Sequence, residues 1–220
     1  MNSFIKDLKN KSLEIFLVCV FIFIPMWFIF LINYYVFNEG LNSFGIHPRS
    51  LNFISLIQIN SSWLLHSGFS HIIGNTSILF PLILLTCLFE AKSYKVIFSL
   101  IFISGFFTWL IGSPNSVHVG ASGLVFALFG YILSSLFLGR NFIYIIPVAI
   151  VGYLYSQSIA QGLIPTDNIS FAGHFGGLLG GIVLGYFFNK NNKHPTYSSK
   201  KTLKEKWSSF IWDIKYRFKK

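Results

Sequence analysis

Two residues able to attack a carbonyl and to move a proton stand out in an otherwise apolar chain. They are Ser122, in Gly120-Ala121-Ser122-Gly123, and His174, in Gly173-His174-Phe175-Gly176-Gly177. A serine hydroxyl attacks a carbonyl only when a base takes its proton, and histidine is the usual base. His71 and Asn75 are spaced i, i+4 and so share one helix face. Beside the backbone N–H of Ser122 at a helix start, they could donate to the oxyanion of a tetrahedral intermediate. The chemistry to expect of such a set is acyl transfer to serine.

Each signal alone also has a structural explanation. Small residues recur where membrane helices pack closely, and Gly123, Ala127 and Gly130 form such a stripe after Ser122. The motif is not the G-x-S-x-G elbow of soluble hydrolases, because Leu124 takes its last position. A membrane histidine can simply bond a carbonyl, and an asparagine can join two helices. Gly177 and Gly181 lie three and seven residues after His174, so a second helix can approach on its face. No acid is placed to complete a triad: Glu14 and Glu90 fall on the inner side, and Asp167 lies in a loop. Chemistry here would use a dyad, with Phe126, four residues after Ser122, holding the imidazole by ring contact.

The elements that must position these residues are membrane helices. The 220 residues are 53% hydrophobic and 11% charged, with a mean hydropathy of +0.62, outside the range of ordinary soluble domains. A span needs about 20 apolar residues. Apolar windows lie near residues 15–37, 70–89, 94–112, 122–138, 142–163 and 171–188. The first follows Lys6, Lys9 and Lys11 but is too long for a signal-peptide core, so it reads as a retained span. Between the first two windows, 38–65 is too broken to cross and is expected to be a folded, partly embedded loop. Cys19 and Cys87 sit in apolar stretches and read as packing residues.

Lys and Arg accumulate in cytoplasmic segments. With the N-terminus inside, sixteen of the 17 Lys and Arg fall inside and only Arg49 outside. His71 and Asn75, Ser122 and His174 then open the second, fourth and sixth spans, all toward the outer face. The fourth is about 25 Å long at about 1.5 Å per residue, short against a core of about 30 Å. The loop 112–120 is therefore expected to dip into the membrane, where irregular backbone is tolerated only against protein or a water-filled cavity.

On these three motifs the chain resembles the rhomboid family of intramembrane serine proteases. The matching pieces are His71-Ile72-Ile73-Gly74-Asn75, the Gly120–Gly123 box followed by Ala127, Leu128 and Gly130, and His174 with Gly177 and Gly181. The resemblance implies an all-α, six-transmembrane-helix bundle over residues 15–188, with the embedded loop between the first and second helices. It implies Ser122 as nucleophile and His174 as general base and acid. His71, Asn75 and the Ser122 amide would form the oxyanion hole, with Gly120 shaping the backbone. Phe126 stands where the family often has Tyr. The 38–65 loop lacks the Trp-Arg pair of some members and would be anchored through Pro48 and Arg49. The implied partners are single-span membrane protein substrates, cut near small residues within the bilayer.

Neither a cofactor nor a metal is expected, since there is no H-E-x-x-H and no outer carboxylate cluster. His66 and His118 are expected to support the pocket loops by hydrogen bonds, and His47 and His194 to be ordinary exposed residues. Residues 1–14 form an inner N-terminus. The charge of +10 lies mostly in the tail, 189–220, which reads as a solvated anchor or as an amphipathic helix on anionic lipid, not as a nucleic-acid site. The expected location is a bacterial cytoplasmic membrane with both termini inside. The rival readings are an inactive rhomboid-like binder of membrane clients and a small transporter, whose polar residues would sit at several depths.

Overall fold

The computed structural model describes residues 2–90, 92–138, 144–164 and 170–191. In chain order the helices are α1 (Asn2–Tyr35), α2 (Phe53–Ser61), α3 (Phe69–Phe89), α4 (Ser93–Ile111), α5 (Ser122–Phe137), α6 (Ile145–Gly162) and α7 (Phe171–Asn191). Six of them occupy the six apolar windows. The basic tail beyond 191 lies outside the described residues, as do Arg140, Asp167 and His194.

Among the described residues four helices are long and apolar enough to cross a membrane: Asn10–Tyr35 of α1, α3, α4 and Phe171–Phe188 of α7. The bundle turns the soluble pattern inside out. Helix α1 buries Val18, Ile22, Met26 and Phe30 along one stripe yet leaves Phe16, Phe21, Ile24 and Phe28 exposed. Such an apolar outer face is stable when hydrocarbon solvates it. Helix α5, only 16 residues long, is the central post, with eleven of those residues buried. This is an all-α membrane bundle.

Glycines fix how closely the central helices approach. A Cβ on Gly177 would collide with the Gly123 carbonyl, one on Gly181 with that of Ala127, and one on Gly130 with that of Leu178. Helices α5 and α7 therefore meet backbone to backbone, as small-residue stripes allow. Gly176 sets α7 closely on α4 as well, where a Cβ would fall 2.9 Å from the Thr108 amide nitrogen.

At the opposite end from Ser122, a polar cluster ties four helices. Lys11 Nζ donates to Glu14 Oε2 at 2.7 Å and to the Glu90 carbonyl at 2.6 Å. Glu14 Oε1 accepts from the Ser93 amide at 3.1 Å and the Ser93 hydroxyl at 2.5 Å. Glu90 also accepts from the Tyr144 hydroxyl. Both carboxylates are thus engaged far from the serine.

The 38–65 segment is folded, as its broken apolar pattern leads one to expect. It holds a 3-10 turn at Gly40–Phe44, helix α2, and a second 3-10 turn at Ser62–Leu64. Asn52 caps α2, its Oδ1 accepting from the Ser55 amide at 2.9 Å, the usual way to satisfy a first-turn donor. The Arg49 amide donates to the Trp109 carbonyl and Trp109 Nε1 to the Ser50 carbonyl, each at 3.1 Å. Pro48 covers Gly112. Pro48 and Arg49 do mark the anchor, but the bonds run through backbone and through Trp109. His47 is half-buried, with Nε2 donating to the Ser43 carbonyl at 2.8 Å.

Candidate active site

Ser122 is the first residue of α5, and the two amides before it are both taken. Gly120 N–H donates to the Ser62 carbonyl at 3.1 Å, and Ala121 N–H donates to His66 Nε2 at 3.3 Å. The next amide, that of Ser122, belongs to a helix first turn and has no intrahelical acceptor. Gly120 has φ +110°, a conformation that disfavours any side chain. A Cβ there would also fall 2.6 Å from His71 Nε2 and 3.4 Å from Asn75 Nδ2. The bare Gly120 backbone is what lets His71 and Asn75 reach the serine turn.

The tautomer of His71 follows from its neighbour. The Ser67 amide donates to Nδ1 at 3.4 Å, with the Ser67 hydroxyl at 3.1 Å, so Nδ1 is the acceptor and Nε2 carries the hydrogen. Asn75 is 7% exposed, and its Nδ2 is a buried donor with no partner. Buried amides are nearly always satisfied, and an orphan costs about 1–3 kcal/mol. Two donors therefore converge on the backbone beside Ser122, one of them unspent.

His174 sits in the first turn of α7 and is held on two sides. Its Nδ1–H donates to the Gly162 carbonyl at 2.6 Å, and its ring stacks on Phe126 with centroids 4.3 Å apart and planes 17° apart. The carbonyl accepts only, so neutral His174 keeps its lone pair on Nε2. No hydrogen bond joins Ser122 Oγ to His174 Nε2. The two helix starts are nevertheless in register, since a Cβ on Gly123 would lie 3.5 Å from the Gly173 carbonyl.

His118 spans the same two segments. Its Nδ1 lies 2.6 Å from Ser170 Oγ and its Nε2 2.8 Å from Ser116 Oγ. Ser116 Oγ donates to the Ser113 carbonyl at 2.7 Å, leaving it to accept from His118 Nε2–H. Ser170 Oγ caps α7 by accepting Gly173 N–H at 3.1 Å and donates to Nδ1. His118 also pairs its backbone with Ile46, at 2.9 and 3.0 Å. Burial, with the His174 charge added, pushes its pKa below the ordinary imidazole value.

His66 is fully buried. Burial and neighbouring His71 take its pKa down to about 3, only partly offset by the hydrogen bond to the Leu64 carbonyl. That bond, at 3.4 Å from Nδ1, fixes the tautomer that leaves Nε2 to accept from Ala121. Asn42 bonds the His66 carbonyl at 3.4 Å and is itself held by buried Asn33 at 3.0 Å. The end of α1 thus reaches the serine turn through three side chains.

A cavity of about 20 Å³ opens beside Ser122, with Ser104, Thr108, His118 and Ser170 in its wall. It has room for a water and the polar partners a water needs. Among the described residues no three His, Cys, Asp or Glu side chains are grouped to hold a metal.

The structure brings Gly120, Ser122, His71 and Asn75 to one turn, and Phe126 to His174. The part that residue spacing misses is the Gly162 carbonyl. Its only sequence trace is a glycine at the end of an apolar window, where a Cβ would fall 2.5 Å from Phe126 Cζ and 3.0 Å from His174 Nδ1.

The rhomboid domain profile matches residues 54–191, α2 through α7. An uncharacterized protein of Mycobacterium leprae, ML1171, is 27% identical over 168 residues, 69% of this chain and 66% of that one. Another uncharacterized protein, Rv1337 of Mycobacterium tuberculosis, is 30% identical over 137 residues, 57% of this chain and 56% of its own length. RHOMBOID-like protein 6, mitochondrial, of Arabidopsis thaliana is 30% identical over 150 residues, 62% of this chain and 47% of that protein. The chain thus spans about half to two thirds of the length of these relatives. With every motif-bearing helix inside the matched stretch and packed as one membrane bundle, this chain belongs to the rhomboid family.

Proposed function

We propose that the protein is an intramembrane serine endopeptidase that cuts transmembrane segments of other membrane proteins through a Ser122–His174 dyad. The observation that carries the reading is the orphaned Asn75 Nδ2 beside the Ser122 turn. A donor left unpaired in a buried site is costly to folding and useful to a developing oxyanion.

In this mechanism a substrate segment unwinds so that one of its carbonyls is free, and Ser122 Oγ attacks it. His174 Nε2 takes the hydroxyl proton, while Nδ1–H stays on the Gly162 carbonyl and holds the ring. The oxyanion receives hydrogen bonds from Asn75 Nδ2, His71 Nε2 and the Ser122 amide. As the peptide C–N bond breaks, His174 gives the proton to the leaving nitrogen, and the acyl group remains on Ser122. Water from the small cavity then loses a proton to His174 and attacks the ester, and the proton returns to Ser122. The substrates are single-span proteins, the membrane a bacterial cytoplasmic one, both termini inside and Ser122 toward the outer face.

One observation favours a second reading. The Ser122 hydroxyl and His174 Nε2 are not hydrogen-bonded, as befits a rhomboid-like protein that binds membrane clients without cutting them. Catalytic hydrogen bonds often tighten only once substrate is bound, which keeps the protease reading first.

Purified protein in detergent, given a tagged single-span substrate, decides between them. The parent should cut, and Ser122→Ala and His174→Ala should each lose roughly 10⁴-fold or more. If the parent cuts nothing and no fluorophosphonate labels Ser122, the client-binding reading stands. Equal cutting by all three proteins would refute the dyad.

A further inference from the structure

The end of the bundle that carries Ser122 also holds a cleft of about 540 Å³ that the proposed chemistry leaves unused. It lies between the Ser43–Asn52 segment, the inner side of α2 and Pro114. Arg49 and Gln58 both line it. We propose that this cleft binds the headgroup of an anionic phospholipid, its phosphodiester on Arg49 and Gln58 and its acyl chains along α2.

Arg49 is aimed by its backbone. Its φ is +58°, in the left-handed region that non-glycine residues rarely occupy. The Arg49–Trp109 and Trp109–Ser50 bonds fix that conformation from both sides. The guanidinium so presented has no carboxylate or hydrogen-bond partner among the described residues. Arginine matches phosphate oxygens with a planar set of donors.

Gln58 supplies the second polar group. It is 7% exposed, on the buried face of α2 with Ser55 and Ile59. Its side-chain amide makes no hydrogen bond among the described residues and is not sealed off as Asn75 Nδ2 is, so it is open to the cleft. The flanking polar groups are already committed: Asn52 caps α2, and His47 Nε2 donates to Ser43. No acidic side chain lines the cleft, so a lone positive charge meets a phosphodiester without compensation. A choline group would find no carboxylate there.

The outer face of α2 argues for lipid over free phosphate. Phe53 is 77% exposed, Ile54, Leu56 and Ile57 are each at least half exposed, and Leu51, just before the helix, is 91% exposed. This apolar row begins at the rim of the cleft, where Ile54 belongs to both. An amphiphile satisfies both surfaces at once. Helix α2 leads directly into Ser62, whose carbonyl holds the Gly120 amide, so occupancy would brace the serine turn.

The test is independent of proteolysis. Full-length Ser122→Ala protein, stripped of lipid in detergent, is titrated with short-chain phosphatidylglycerol and followed by native mass spectrometry. One lipid should bind, with affinity at least tenfold lower in Arg49→Gln and reduced in Gln58→Leu, while the melting temperature of Arg49→Gln is unchanged. Arg49→Lys should retain part of the affinity. Equal binding by the parent, Arg49→Gln and Gln58→Leu would overturn the proposal. So would equal binding of phosphatidylcholine, or inorganic phosphate displacing the lipid at matched concentration.

Discussion

The Gly162 carbonyl accepts the Nδ1–H of His174 at 2.6 Å and occupies the place where a Ser-His-Asp site carries its carboxylate. A neutral dipole fixes the same tautomer and the same ring direction. In the proposed dyad it offers less charge to a developing imidazolium, and stacked Phe126 supplies the remaining restraint on the ring.

Gly162→Ala should therefore be a catalytic lesion outside the dyad. The added methyl meets Phe126 Cζ and His174 Nδ1, and a displacement of about 1 Å can cost about 10²-fold in rate. Cleavage and fluorophosphonate labelling of Ser122 should fall together by about that factor. An unaffected labelling rate would show that the carbonyl does not hold the base.

Replacing Asn75 separates stability from activity. Asn75→Leu removes a buried, unpaired donor, so folding should be unchanged or stabilised by about 1 kcal/mol. Turnover should nevertheless drop about 10² to 10³-fold, the usual loss for one oxyanion donor. Parallel thermal melts and cleavage rates check both halves. A variant that is destabilised and inactive would mark Asn75 as structural.

Acid should destabilise the fold through His66. Its native pKa of about 3 lies below the 6.5 of a free imidazole, so from pH 6.5 down to about 3 the unfolded chain binds a proton that the native chain refuses. Stability is full above that window and is lost progressively as pH falls through it. His118, also lowered, acts in the same direction. Melting temperatures in detergent should fall from pH 7 to pH 4, less steeply in His66→Gln. Identical slopes in both proteins would remove His66 as the cause.

His118 and Ser170 should behave as one unit. Each single alanine variant breaks the 2.6 Å bond between the serine loop and the cap of α7. Each should slow Ser122 labelling by roughly tenfold, and the double variant should be little worse, with a coupling of about 1 kcal/mol. Fully additive losses would show that the bond does not join the two segments.

Much of this was legible in residue spacing. The small-residue stripes marked α5 and α7 as helices that a neighbour approaches closely, and Gly130, Gly177 and Gly181 allow this through sheer absence of side chain, but spacing did not say that the two meet each other. The i, i+4 pair His71 and Asn75 does reach one turn, as its period requires. What spacing could not reveal were backbone groups, which have no residue identity. The Gly162 and Ser62 carbonyls and the Ala121 amide shape the site without a sequence signature. Helix α2 was hidden by its length of nine residues and an apolar face that, in a soluble protein, would argue against exposure.

The glycine seam between α5 and α7 makes tolerance to mutation uneven. Where backbone touches backbone no neighbouring rotamer can yield, so even a single methyl must move a whole helix, and with it Ser122 or His174. The outward residues of α1 and α2 face nothing in the protein and should accept nearly any apolar replacement. A saturation survey of this chain would trace an intolerant spine two helices wide inside a permissive coat, the reverse of a soluble enzyme whose bulky core residues are its most guarded positions.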